Sequence, residues 1–421
     1  MTRLLKLAAG WLAVAFLLAG LVACGSKGTE SSSGGGEGNV KAGPGVTATT
    51  IKLGALTDLS GVFAPLAQPL TQANQLYWKD RNAQGGVCGR KVELEIKDHG
   101  YDPQKAVVQY RDFSAGIDGL QQLLGSPITA ALLPTLKQDS MISLLSAWPS
   151  SLLTNDNIII VGTTYDVEMI NVLDYLKKKG MIKSGDTIGH LYFEGEYGEN
   201  GLKGSKYFAS KNGMKVVEQK IKATDEDMSG QVAAFKRAGV KAIAVTTAPT
   251  QLASVAGIAA SQGMKVPIVG NNPTYDPALL KSPAAEAVKA NTYISGSIAP
   301  WTLDKPEVQS VSQKFRAAYP KSDPKASVQF GWAQAAVMYQ ILNKACENKD
   351  LTRAGLIKAA HQLSGVDTGG LIAGSLDYTK VGQPATRAVY IARPADVTGG
   401  LKALPGTFES ETAKSYDVAG S

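Results

Sequence analysis

Histidine and cysteine are scarce in this sequence. Three histidines, His99, His190 and His361, lie far apart in 421 residues, and the three cysteines, Cys24, Cys88 and Cys346, are as scattered. No Cys-x-x-Cys, His-Glu-x-x-His or other spacing suited to a bound metal occurs. There is no Gly-x-Ser-x-Gly nucleophile turn and no Gly-Lys-Ser/Thr phosphate loop. These absences argue against an enzyme, and no cofactor or metal is expected. A carboxylate pair stays open, because Asp and Glu number 36. Positive charge is not concentrated either. The net charge of +7 includes no dense Lys/Arg run, so no nucleic-acid partner is expected. Lys177-Lys178-Lys179 reads as the last turn of a helix, where cations suit the dipole. No internal repeat of roughly 20–50 residues is visible.

What is present is an ordinary core-forming composition, 44% hydrophobic and 19% charged, over a length that exceeds one domain. At the start, Arg3 and Lys6 precede an apolar run from Leu7 to Gly20, and small residues follow, as in an export signal. Leu21-Val22-Ala23-Cys24 resembles the lipobox of bacterial lipoproteins. That resemblance implies cleavage before Cys24 and a diacylglycerol on it, and two acyl chains anchor stably where one is marginal. Two other readings stand beside it. Leu4 to Ala23 is long enough for a transmembrane anchor, and an ordinary export signal can hold a chance cysteine. Residues 25–46 are mostly Gly and Ser, too poor in apolar surface to fold, and would span roughly 25 Å as a coil. The expected division is a leader over 1–23 and a lipidated cysteine with a flexible tether over 24–46. The body is then a monomer outside the cytoplasm, on the outer face of the cell membrane. In an exported chain Cys88 and Cys346 are expected to pair; the alternative is two inert buried thiols.

From Ile51 the chain alternates strand and helix. Ile51–Leu56, Lys91–Lys97, Gly119–Leu124, Met141–Leu145 and Ile158–Val161 read as strands. Gly85-Gly86 ends a first helix, and Asp102-Pro103 opens a second that runs through Phe113. The rhythm restarts with a helix over 167–178. Strands over 187–193, 214–221, 240–246 and 266–269 then alternate with helices, and 292–296 leads out. After Pro300 three helices follow: 306–318, one opened by Asp323-Pro324, and 352–363. Residues 371–404 are strand-rich, most clearly over 387–392. Two α/β units in series predict parallel sheets flanked by helices, with ligand in the cleft at the carboxyl ends of the strands.

The stretches Ile51-Lys-Leu-Gly-Ala-Leu-Thr-Asp-Leu-Ser-Gly61, Asn82 to Arg90, Lys97-Asp-His-Gly-Tyr-Asp-Pro103, Tyr192 to Gly198 and Pro306 to Pro320 carry a likeness in order and spacing. The chain resembles the branched-chain amino-acid (Leu/Ile/Val) branch of the type I periplasmic binding proteins, which serve ABC importers. The resemblance runs from about Ile51 to Leu376. It implies an α/β fold of two lobes, each a mainly parallel sheet flanked by helices, joined by three crossovers. Lobe one is expected at 47–165 with 296–375, and lobe two at 166–295 with 376–421. Cys88 and Cys346 then share lobe one.

The resemblance also implies a binding site. The loop Gly125 to Thr129 would give a hydroxyl to a ligand carboxylate, from Thr129 with Ser126 nearby. Ser146 and Ala147 match a second contact loop, although Ala147 lacks a hydroxyl. Helix capping uses the same side chains and is the alternative role for these residues. Tyr197 matches a tyrosine that closes over the ligand; Trp148 and Phe63 are candidate cleft aromatics. Asn271 and Asn272 stand where amino-acid binders commonly place a carboxylate for the ligand ammonium. An unpaired ammonium in a closed cleft is costly. Either Glu194 or Asp58 supplies the charge, or the ligand is an amide or organic acid. The function implied is capture of a small polar solute by hinge closure and delivery to an ABC permease and its ATPase. A ligand-sensing receptor and an extracellular enzyme are the alternatives.

Overall fold

The computed structural model describes residues 40–418. The leader, Cys24 and most of the expected tether lie outside the described residues. The end of that tether is shorter than expected. β1 (Lys41–Ala42) pairs in parallel with Asp350–Leu351, and Val46 bridges Ile51. Lys41 N and Gly43 N donate to the carbonyls of Lys349 and Leu351 at 3.0 Å each, so the chain is seated on the body from residue 40 onward.

A first run alternates β2 (Thr50–Thr57), α1 (Ala64–Ala83), β3 (Lys91–Asp98), α2 (Pro103–Phe113), β4 (Gly119–Leu124), α3 (Ser126–Gln138), β5 (Ser143–Ser146) and β6 (Ile158–Ile160). Its strands form an all-parallel sheet in the order β3-β2-β4-β5-β6. A second run holds α4 (Tyr165–Lys178), β7 (Thr187–Phe193), α5 (Glu196–Lys211), β8 (Lys215–Ile221), α6 (Ser229–Arg237), β9 (Ala242–Thr246), α7 (Pro249–Ser261), β10 (Ile268–Asn271), α8 (Ala285–Asn291) and β11 (Thr292–Gly296). Then come α9 (Pro306–Ala318), α10 (Ala326–Glu347), β12 (Asp350–Leu351), α11 (Arg353–Ala360), β13 (Tyr390–Pro394), β14 (Leu401–Ala403) and α12 (Glu411–Lys414). The second sheet has the order β14-β13-β11-β10-β9-β7-β8, with β13 and β14 antiparallel at one edge. The chain passes between the two units three times: after β6, after β11 and before β13.

Local chemistry explains the element ends. Asp102 accepts from Gln104 N (2.8 Å) and Lys105 N (3.3 Å), and Pro103 needs no acceptor at the first helical position. β4, β5 and β6 are buried along their whole length, as parallel strands covered on both faces must be. Gln121 and Gln122 are buried within β4 because a network satisfies them. Trp78 Nε1 donates to Gln121 (3.1 Å), Gln121 to Asn74 (3.0 Å), Asn74 to Gln122 (3.0 Å), and Gln122 to Thr57 (2.6 Å). Cys88 and Cys346 form a disulfide with Cα atoms 6.4 Å apart, tying the turn before β3 to the end of α10.

Three elements differ from the sequence expectation. Residues 371–404 are not strand-rich throughout: 371–389 make only isolated bridges, and the strands are confined to Tyr390–Pro394 and Leu401–Ala403. Gly125 to Thr129 is not an open loop: Ser126 begins α3. The helix α10 starts at Ala326, not at Asp323-Pro324, because Lys325 is held extended (φ −145°, ψ 152°).

Candidate functional site

Strand order reverses between β2 and β4 in the first sheet and between β7 and β9 in the second. Loops leaving carboxyl ends beside such reversals face a crevice. Residues after β2, β4 and β5 therefore meet residues after β7 and β10. A cavity of about 80 Å³ lies between them. That is roughly half of the ~150 Å³ that takes up one benzene, so a larger ligand must part the walls.

Seven aromatic rings line the wall: Phe63, Tyr101, Trp148, Tyr165, Tyr197, Tyr275 and Phe330. All but Tyr275 touch in sequence. Phe63 lies 4.9 Å from Tyr101 and 6.3 Å from Tyr197, Tyr197 lies 4.7 Å from Tyr165, and Trp148 lies 5.5 Å from Tyr165 and 5.0 Å from Phe330. Burial pushes the phenols of Tyr101, Tyr165 and Tyr197 upward, so they stay protonated. Tyr101 has φ 62°, an unusual value for a bulky residue. The turn that holds it uses Asp98, which accepts from Gly100 N (2.9 Å), and His99 Nδ1, which accepts from Tyr101 N (3.0 Å). Burial depresses the His99 pKa, which suits a neutral acceptor.

The structure brings Phe63, Ser126, Ser146, Trp148, Tyr197 and Asn272 to the cavity. It places Thr129, Ala147 and Asn271 outside the wall. The Thr129 hydroxyl donates to Gly125 O at 2.9 Å, a turn back along α3, which is why Ser126 and not Thr129 is presented. Ala147 is fully buried behind Ser146 and Trp148. Asn271 lies beneath Tyr197, and its Oδ1 accepts from the Thr274 hydroxyl at 2.9 Å. The Tyr197 hydroxyl is 3.0 Å from Thr247 O and 3.1 Å from Asn271 Oδ1.

Three donors in the wall lack partners, Ser327 Oγ among them. Trp148 Nε1 makes no hydrogen bond, and Ser126 Oγ faces the Tyr165 phenol without a hydrogen bond of ordinary geometry. Ser146 Oγ is 3.3 Å from Gln334 Nε2, at the end of the buried amide network.

Neither carboxylate considered for a ligand ammonium reaches the cavity. Asp58 is fully buried and accepts from the backbone of Gly61 and from Phe63 N (2.9 Å), closing its own loop. Glu194 is exposed. A third acid, Glu168, lies behind the wall, accepting from Asn272 N (3.2 Å) and Ser297 N (3.4 Å). Burial pushes its pKa up to about 8, only partly opposed by those bonds, so it is largely protonated at neutral pH. Among the described residues that line the cavity, the one charged side chain is Lys325. The sequence reading missed it, together with Tyr101, Tyr165 and Phe330. Tyr101 lies within the Lys97 to Pro103 stretch, and Lys325 directly follows Asp323-Pro324. No group of three or more His, Cys, Asp or Glu among the described residues is placed to hold a metal ion. No helix among them is long and apolar enough to cross a membrane.

Solved structures share this fold. A fatty acid ABC transporter substrate-binding protein from Thermomonospora curvata is 45% identical, with a TM-score of 0.87, over 90% of this chain and 97% of that one. A branched-chain amino-acid ABC transporter protein from Thermus thermophilus with bound valine shares the fold at 17% identity and a TM-score of 0.77, over 88% and 99% of the two chains. So does a solute-binding protein from R. palustris in complex with benzoate, at 17% identity and a TM-score of 0.71, over 86% and 98%. No curated protein sequence matches the chain. Residues 50–400 match the family of periplasmic binding proteins, and with that span, two mainly parallel sheets and a cleft between them, the chain belongs to that family as a solute-binding protein of the ABC-transport type.

Proposed function

We infer that this protein captures carboxylic acids with a large apolar body and delivers them to an ABC importer. One observation carries the reading: the cavity wall is mostly aromatic and aliphatic and presents no carboxylate. An α-amino acid brings an ammonium that would go unpaired there, at high cost. An apolar chain gains roughly 25 cal/mol for each Å² it removes from water, and the rings supply that surface. The 45% identity to the Thermomonospora curvata fatty acid protein supports the same ligand class.

Ser126, Ser146, Trp148, Tyr197, Asn272 and Phe63 contact the ligand in this reading, whereas Thr129, Ala147 and Asn271 support them from behind. The lobes are 47–165 with 296–375 and 166–295 with 376–421, and they close about the ligand as a hinge. Lipid on Cys24 holds the monomer at the outer face of the membrane, where a permease and its ATPase receive the solute.

A thermal-shift panel tests the ligand class. The purified protein is heated with decanoate, benzoate, leucine and valine. A ligand at about 100 times its dissociation constant stabilises by roughly 2.7 kcal/mol. Decanoate is expected to raise the melting temperature. A shift with leucine or valine and none with either organic acid would overturn the reading.

A further inference from the structure

Lys325 is 6% exposed and lies in the cavity wall. Its ammonium donates to Asp276 Oδ2 at 2.6 Å and to Pro65 O at 2.9 Å. An ammonium has three protons, so one remains without a partner. The three groups come from different parts of the fold. Pro65 belongs to α1, Lys325 directly precedes α10, and Asp276 follows β10 of the other sheet. The first N–H groups of α10 have no intrahelical acceptor. Two of the residues that carry them, Ala326 and Ser327, also line the cavity, and Ser327 Oγ has no hydrogen-bond partner. Asp276 keeps a second bond, from Ala278 N at 2.8 Å, that does not depend on Lys325.

We propose that Lys325 is the residue that selects for an acid: its ammonium takes the ligand carboxylate, and Asp276 is the competing counter-ion in the empty site. This rests on the ligand class inferred above and names the charge that class requires. A buried ion pair is weak evidence of stability in itself, since apolar replacements are often neutral. A cation beside an otherwise uncharged apolar cavity changes which ligands enter it. Without an acid to meet, Lys325 is neutralised by Asp276. When an acid enters, the free proton of Lys325 and the start of α10 face it, and Asp276 falls back on Ala278 N.

The test compares decanoate with 1-decanol, which share an apolar chain and differ in charge, by calorimetric titration. The wild-type protein is expected to prefer decanoate by about tenfold or more, the worth of one charge-assisted hydrogen bond. The double variant Lys325→Met with Asp276→Asn removes both charges together, so no lone charge is left buried, and is expected to abolish the preference. The single variant Asp276→Asn removes the competitor and is expected to tighten decanoate while leaving it preferred. A double variant that keeps the preference overturns the proposal. So does an Asp276→Asn protein that binds both ligands more weakly, the result a simple clamp between the two sides would give. Binding of decanol without decanoate overturns the role of Lys325 and leaves the apolar site standing. Binding of neither overturns the ligand class itself.

Discussion

At the scale of single residues, the informative substitution is the amide at position 271. Its oxygen accepts from the Thr274 hydroxyl and lies against the Tyr197 hydroxyl, so that oxygen is engaged behind the wall. Asn271→Asp is therefore expected to confer no leucine binding. It should instead lower stability by about 1–3 kcal/mol through an ill-matched buried carboxylate, read by urea denaturation beside a leucine titration. Glu168 gives a pH signature. Its folded pKa of about 8 lies above the ~4.3 of a free glutamate, so the folded chain keeps a proton that the unfolded chain releases. Stability from this group falls as pH rises from about 4 to about 8. Glu168→Gln is expected to remove up to about 1.4 kcal/mol per pH unit of that slope, measured by urea unfolding at pH 5, 6.5 and 8. His190 slopes the other way below about 6.5, since burial lowers it to about 3, but it is common to both proteins and cancels in the comparison.

At the scale of elements, α10 organises one wall. It packs along α1, and Gly331 permits the approach: a Cβ there would lie 2.3 Å from Leu70 O. The disulfide fixes its far end. Replacing Cys88 and Cys346 with serine is expected to cost about 2–4 kcal/mol, read from denaturant midpoints with and without reductant. Strands such as Ile158–Ile160 and Ala242–Thr246 were legible in the sequence because they are apolar runs between turn residues. α3 was not, since Ser126-Pro127 reads as a turn and Pro134 argues against a helix interior. The start of α10 was misplaced for a different reason. Asp-Pro is a good opening pair, but Lys325 is drawn into extended backbone beside a partner 49 residues away in sequence, which no local signal reports.

At the scale of the whole molecule, the architecture followed from the strand–helix rhythm and from the ordered likeness of its motifs. Part of the site was legible too: Ser126 and Tyr197 lie in the first turns of helices that follow strands, Ser146 ends β5 and Trp148 lies just after it, where position alone suggests contact. Tyr165, Phe330 and Lys325 belong to or adjoin helices that reach the cavity only once the chain has crossed between units. Which hydroxyl turns inward is likewise decided by packing: Thr129 and Ser126 share a helix turn, and only Ser126 faces the cavity.

The pairing of β1 with β12 has a mechanical consequence. β12 follows the carboxyl end of α10, and the amino end of α10 lines the cavity. At 1.5 Å per residue the 22 residues of that helix separate the two points by about 33 Å. A pull on the segment leading into Val40 would therefore load the β1–β12 pairing at the far end of α10, near the disulfide, and not the end of α10 that lines the cavity.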